Sequence, residues 1–224
     1  MNKSIFVACD LSSQKEILEL LSKIHKEISG IKIGLQYITR HSPNEIKELG
    51  KFNKPIFYDG KFFDIKNTLV EAVKSLNNLN ISYATVHLLN GLDALRAANE
   101  TANNINVKLL GVSVLTSFND KDLEYLGFED QVEKQVLRLV KIADEANLYG
   151  VICSPLEIKI IKEVAPNLKC FTPGIRQDKN NNDQKRTMNA RQALEAGSDC
   201  LIIGRPITKG DPKKNIQEIL SSLN

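Results

Sequence analysis

The residues best suited to chemistry are a set of alternating acids and amines: Asp10, Lys32, Asp59, Lys61 and Asp64. Asp59 and Lys61 are two residues apart, so on an extended backbone their side chains share a face, and Asp64 can return at the next turn. Two carboxylates would then flank one amine and favour its ammonium form, which sets Lys61 to donate a proton. Lys32 would offset the repulsion between the acids. Positive and negative charge at fixed places suits a reaction that exchanges a carboxylate for a proton. Any one of these charges alone reads as a solvated surface group, but Lys32, Asp59, Lys61 and Asp64 all fall in or just after apolar runs, where they can converge. Gly174 with Arg176, and Gly204 with Arg205, form a second set. Glycine exposes backbone amides and arginine supplies a charged fork, together the chemistry of a phosphate cradle. An isolated glycine would read as a turn residue; two glycines each followed by an arginine favour the cradle.

The elements that must position these groups are legible as eight short apolar runs: Ser4 to Asp10, Ile31 to Gly34, Pro55 to Asp59, Tyr83 to His87, Lys108 to Val114, Gly150 to Cys153, Lys169 to Pro173 and Cys200 to Gly204. Amphipathic segments separate them, the pattern of βα units feeding a parallel sheet. Ile17, Leu20, Leu21, Ile24 and Ile28 recur at helical spacing behind a Ser13/Glu16 capping box. Ser154-Pro155 with Glu157 repeats that device, and Asp211-Pro212 opens a last helix with Ile216, Ile219, Leu220 and Leu223 as its apolar stripe. Eight units in 224 residues leave little room for a second domain, so the expectation is one (β/α)8 TIM barrel spanning residues 1–224. An open doubly wound sheet is the alternative, without a GxGxxG or Walker loop to support it. In a barrel the strand ends converge on one pocket, and the loops after strands seven and eight are common phosphate sites.

Composition narrows the partners. Lys plus Arg outnumber Asp plus Glu by only 30 to 27, with no long block of either sign, so neither nucleic acid nor a membrane surface is indicated and a small anionic ligand fits better. Cys9, Cys153, Cys170 and Cys200 lie far apart in apolar runs without metal or redox spacing, as buried reduced thiols do. No apolar stretch is long enough to span a bilayer, and a cytoplasmic location is expected. The polar run from Arg176 to Thr187 reads as a loop over the barrel mouth.

The run Asp59-Gly60-Lys61-Phe62-Phe63-Asp64-Ile65-Lys66-Asn67-Thr68 resembles the signature of the orotidine 5′-phosphate decarboxylase family. Lys32-Ile33-Gly34, Thr172-Pro173-Gly174-Ile175-Arg176, Asp183-Gln184 and Gly204-Arg205-Pro206-Ile207-Thr208 agree with it in order, so the resemblance covers nearly the whole chain. It implies a cofactor-free and metal-free conversion of orotidine 5′-monophosphate to uridine 5′-monophosphate, in which carbon dioxide leaves a vinyl carbanion and Lys61 protonates that carbon. Asp59 would lie near the substrate carboxylate, and Lys32 and Asp10 would bind the ribose. Thr116 or Ser117 would meet the pyrimidine edge, Arg176, Gln184, Gly204 and Arg205 would close over the phosphate, and Pro173 would also contact the substrate. The family is typically a homodimer with shared sites, so Asp64, Ile65 and Thr68 would reach the neighbouring subunit's pocket. Lys66 departs from the proline of many bacterial members, and Leu89-Asn90 replaces smaller residues. His87 stays outside the catalytic set, since a hydrogen-bonded core histidine explains it equally well.

Two rival readings remain. Magnesium-dependent sugar-phosphate decarboxylases and aldolases share a similar D-x-K-x-x-D run, but their metal takes a glutamate on strand two, where this chain has Gly30-Ile31-Lys32-Ile33-Gly34. A catalytically silent nucleotide-phosphate-binding barrel is the alternative outside enzymes, since fold alone does not fix function.

Overall fold

Strands and helices alternate through the computed structural model, which describes residues 4–129, 131–176 and 187–223. The strands are β1 (Ile5–Ala8), β2 (Gly30–Ile33), β3 (Ile56–Phe62), β4 (Ile81–His87), β5 (Lys108–Val112), β6 (Gly150–Ile152), β7 (Lys169–Thr172) and β8 (Cys200–Ile203). Each pairs in parallel with the next, and β8 returns to β1 with Ile5 opposite Leu201, Phe6 opposite Ile202 and Val7 opposite Ile203. The sheet therefore closes into a TIM barrel, not an open doubly wound sheet. All eight apolar runs are strands, although most stop one or two residues before the run does.

Closure explains why the strands read as continuous apolar runs: both of their faces are covered. Phe6, Phe57, Leu110, Phe171, Cys200 and Ile202 fill the barrel with Tyr83 and Tyr149 against them, and Phe6 and Phe57 each meet Phe171 edge-on at 6.1 Å. Val7, Ile31, Ile33, Ile56, Val86, Leu109, Val151 and Leu201 are also buried and belong to the larger core shared with the helices. At the start of β5, the ammonium of Lys108 sits 4.4 Å from the ring centre of Tyr149 and covers that end of the aromatic plug. The strand starts are thus filled, and the open space lies at the strand ends.

The helix Gln14–Ile24 starts at the expected capping box: the Ser13 hydroxyl accepts from the Glu16 amide, and the Glu16 carboxylate from the Ser13 amide. Ile17, Leu20, Leu21 and Ile24 are its buried face; Ile28 is buried too, but beyond the helix end. In the helix Pro212–Ser222, the Asp211 carboxylate accepts from the amides of Lys213 and Lys214. Ile216 and Ile219 are buried there, while Leu220 and Leu223 are only half-buried. The Ser154/Glu157 device does not cap a helix where expected. Glu157 returns its carboxylate to the Ser154 amide and its own amide to the Ser154 carbonyl, a tight turn that delays the helix to Ile158–Val164. The four cysteines are free and buried, and no described helix is long and apolar enough to cross a membrane.

Gly150 is set by close approach: a β-carbon there would lie 2.3 Å from the carbonyl oxygen of Lys169 on β7. Backbone cannot rotate aside as a side chain can, so Gly150→Ala should destabilise the barrel by about 1–3 kcal/mol, the usual cost of overpacking. Chemical denaturation of the two proteins checks this; an unchanged midpoint would mean that the β6–β7 contact yields freely.

Candidate active site

β3 was expected to stop at Asp59 but runs on to Phe62. Tyr58 pairs with Ala84 and Phe62 with Val86, so four residues of advance on β3 face two on β4, and β3 bulges in between. Lys61 sits in that bulge with φ +48°, a left-handed conformation unusual for a residue with a side chain. Its ammonium reaches the Asp59 Oδ1 atom at 2.8 Å. The two side chains therefore meet, but through a bulge and a left-handed residue and not by simple strand alternation.

The neighbouring strands hold this arrangement. Lys61 donates its backbone N–H to the Thr85 hydroxyl at 2.8 Å, and that hydroxyl donates to Asp59 Oδ1 at 3.0 Å. Asn90 ties down the segment that follows: its amide nitrogen donates to the carbonyls of Phe62 (3.0 Å) and His87 (2.7 Å), and its Oδ1 accepts from the Asp64 amide at 3.1 Å. Lys66, the departure from proline, forms an ion pair with Asp93 at 2.8 Å.

From β2, the Lys32 ammonium lies 3.3 Å from Asp59 Oδ2 and 3.5 Å from Asp10 Oδ1. Gly34 makes room for the second pair, since a β-carbon there would lie 2.7 Å from Asp10 Oδ1. The charges thus run Asp10, Lys32, Asp59, Lys61, with Lys32 only 7% and Asp59 9% exposed. Burial alone would raise the Asp59 carboxyl, but Lys32 and Lys61 outweigh it and hold Asp59 below its ordinary range. For Lys32, burial pulls down while Asp59 and Asp10 pull harder and leave it raised. Both groups are therefore charged at neutral pH.

Asp64 does not join them within the chain. Past the bulge the backbone turns outward into the helix Lys66–Lys74, and Asp64 accepts from the Ile65 amide at 2.7 Å instead of pairing with an amine. Ile65 is 73% exposed and Thr68 is exposed as well. The expected second acid beside Lys61 is thus not supplied from within the same chain, because the backbone turns Asp64 away as it enters the helix.

A cavity of about 420 Å³ opens over the charge array. Asp10, Lys32, Asp59 and Lys61 line it together with Pro173, Gly174, Arg176, Gly204, Arg205 and Thr208. Thr116 lines it too, whereas Ser117 is exposed and does not. Gly174 has φ +82°, and just beyond it the Arg176 amide donates to the Met188 carbonyl and the Met188 amide to the Gly174 carbonyl, tying Gly174 and Arg176 to Met188. Gln184, Asp183 and the loop reading of residues 177–186 lie outside the described residues. Val112, Ile152 and Ile202, which the sequence does not single out, make an apolar wall of the cavity. The signal was present, because Val112 and Ile152 are the last residues of β5 and β6 and Ile202 the last but one of β8.

His87 is half-buried beside Phe63, with ring centres 5.4 Å apart, and its Nδ1 accepts from the Leu89 amide. Burial first, and the charge of Lys61 second, push it below its ordinary value, so the ring is neutral at neutral pH. It does not line the cavity.

Comparison with known proteins gives a consistent picture. A family model described as orotidine 5′-phosphate decarboxylase / HUMPS family matches residues 3–219. A protein of Dichelobacter nodosus named orotidine 5′-phosphate decarboxylase is 38% identical over 229 aligned positions, covering 100% of both chains. One of the same name from Wolbachia pipientis is 35% identical, covering 98% of each. The crystal structure of orotidine 5′-phosphate decarboxylase from Lactobacillus acidophilus superposes with a TM-score of 0.86 at 32% identity, covering 100% of both chains.

Proposed function

The chain belongs to the orotidine 5′-phosphate decarboxylase / HUMPS family, and on that premise we propose how its cavity converts orotidine 5′-monophosphate to uridine 5′-monophosphate and carbon dioxide. The observation that carries the reading is the ion-paired series Lys32, Asp59, Lys61, its first two members buried, in the same cavity as Gly174, Arg176, Gly204 and Arg205. The substrate is an anion at both ends. Its phosphate takes the arginine and glycine end, its ribose meets Asp10 and Lys32, and its carboxylate faces Asp59.

The pyrimidine lies on the wall of Val112, Ile152 and Ile202, with Thr116 at its polar edge. The bond from the ring to the carboxylate breaks, carbon dioxide leaves, and the electron pair stays on the ring carbon. The Lys61 ammonium gives that carbon a proton and is recharged from water. One carboxylate is exchanged for one proton, so the step balances without an oxidant, a reductant or a cofactor.

A second copy of the chain completes the site. Asp64, Ile65 and Thr68 leave their own cavity, and Phe63 (61% exposed), Ile65 (73%) and Leu89 (44%) present apolar surface beside it. A homodimer covers that surface and delivers Asp64 to the partner's array, with residues 1–224 acting as one catalytic domain. Four buried free thiols suit a reducing cytoplasm. The magnesium-dependent alternative is disfavoured by the donor set, since Asp10 and Asp59 both pair with Lys32 and β2 carries no acid.

Ultraviolet absorbance of orotidine 5′-monophosphate with purified protein tests this, with and without a strong chelator. Equal rates in both are expected. Loss of turnover on chelation would favour a metal route, and no turnover in either would favour the silent binding barrel.

A further inference from the structure

On β4 the residues Tyr83, Thr85 and His87 share the inward face, where Tyr83 belongs to the aromatic plug. Thr85 is the next inward position toward the site and is fully buried. A valine would fill the same space there, so packing does not account for the hydroxyl. Its bonds do: it accepts from the Lys61 backbone at 2.8 Å and donates to Asp59 Oδ1 at 3.0 Å. A single oxygen thus joins the bulge of β3, the left-handed Lys61 and the carboxylate that receives the Lys61 ammonium.

We infer that Thr85 is a positioning residue for the decarboxylation, its hydroxyl holding Lys61 in the left-handed backbone conformation and Asp59 in the rotamer that aims the Lys61 ammonium at the reacting carbon. The inference rests on Lys61 as proton donor. Left-handed backbone costs about 1–3 kcal/mol at a residue with a side chain and persists only where the surroundings over-determine it. Here the Thr85 acceptor supplies that constraint at the Lys61 amide. Asp59 has free rotation about its own side-chain bonds, and three donors fix it: Lys32 from β2, Lys61 from its own strand and Thr85 from β4. Of these, Thr85 alone carries no charge and sits on the shortest, stiffest side chain. A displacement near 1 Å at a reacting group can cost about a hundredfold in rate.

The test compares Thr85→Val and Thr85→Ala with Thr85→Ser. The valine variant should lose roughly a hundredfold in kcat, with KM and uridine 5′-monophosphate binding within about threefold of wild type, because the groups assigned to the phosphate and ribose do not contact Thr85. Serine keeps the hydroxyl and should recover kcat to within about tenfold of wild type. Alanine adds no volume and carries the same expectation as valine, should valine fail to fold.

A pH profile supplies a readout that a packing role would not move. Asp59 faces Lys32, Lys61 and, beyond them, Asp10 and the neutral His87; the Thr85 hydrogen bond is among the contacts that keep its carboxyl low. Losing that bond lets the carboxyl rise, so the acid limb of kcat/KM should move to higher pH in the valine and alanine variants and stay in place in serine. Wild-type kcat in both the valine and alanine variants, a serine variant as impaired as they are, or a loss confined to KM would overturn the role of Thr85. Wild-type turnover by Lys61→Ala would instead remove the proton donor on which the inference stands, and that control separates the two failures.

Discussion

Lys61→Ala should lose decarboxylation of orotidine 5′-monophosphate by at least about 10⁴-fold in kcat while still binding uridine 5′-monophosphate within roughly tenfold of wild type. The magnitude follows from dividing the barrier among the available effects. Enzymes commonly lower barriers by about 8–23 kcal/mol. Repulsion between the Asp59 carboxylate and a substrate carboxylate ~4 Å away is worth only ~4 kcal/mol at an effective dielectric of 20. Ground-state repulsion is therefore too small. What remains is stabilisation of the negative charge developing on the ring carbon, and in the proposed mechanism the ammonium held 2.8 Å from Asp59 supplies both the opposing positive charge and the proton. In the proposed binding mode phosphate and ribose are held elsewhere in the cavity, which is why product binding should survive. Absorbance assays for turnover and calorimetry for binding measure the two quantities, and a variant with wild-type turnover would sink the proposed role.

The division between what the sequence discloses and what it conceals follows from the range of the interactions concerned. Runs such as Gly150 to Cys153 announce strands because burial on both faces demands consecutive apolar residues, and the Ser13/Glu16 box announces a helix start because its bonds span three residues. Asp10, Lys32 and Asp59 could be placed together because a parallel barrel brings all strand ends to one mouth. The bulge of β3 was not legible in this way. It depends on pairing with β4, twenty-four residues away from Lys61 at Thr85, and nothing in the local pattern Asp59-Gly60-Lys61 marks it. Simple alternation gave the right neighbours for the wrong backbone. Ser154 and Glu157 show the converse: the Glu157 carboxylate does accept from the Ser154 amide, but the Glu157 amide goes to the Ser154 carbonyl, and a bond across three residues can close a turn as readily as it can start a helix. The apolar wall escaped for a different reason. Val112, Ile152 and Ile202 look like any core residue until the barrel shows which of them stands at the open end.

Mixing two inactive proteins should restore activity, and this expected result bears on the proposed dimer. Lys61→Ala removes the proton donor from a subunit's own cavity. Asp64→Asn removes the charge that, on the dimer reading, is offered to the partner's cavity, while keeping the oxygen that accepts from the Ile65 amide and so preserving the local turn. Each homodimer carries the same defect in both sites and should be nearly silent. In a mixed dimer the two defects fall in one site and the other site is intact, so random exchange of equal amounts should give roughly a quarter of wild-type activity, as follows from the symmetry of an isologous pair. The outward turn at Ile65 and the exposed Phe63, Ile65 and Leu89 motivate this geometry, since apolar surface flanking an active site is a common mark of an interface. Subunit exchange under mild denaturant, followed by dilution into substrate, measures the recovery. If activity stays at the level of the separate variants although exchange is demonstrated by mass, Asp64 acts within its own subunit or not at all, and the array of Lys32, Asp59 and Lys61 must suffice without a second acid.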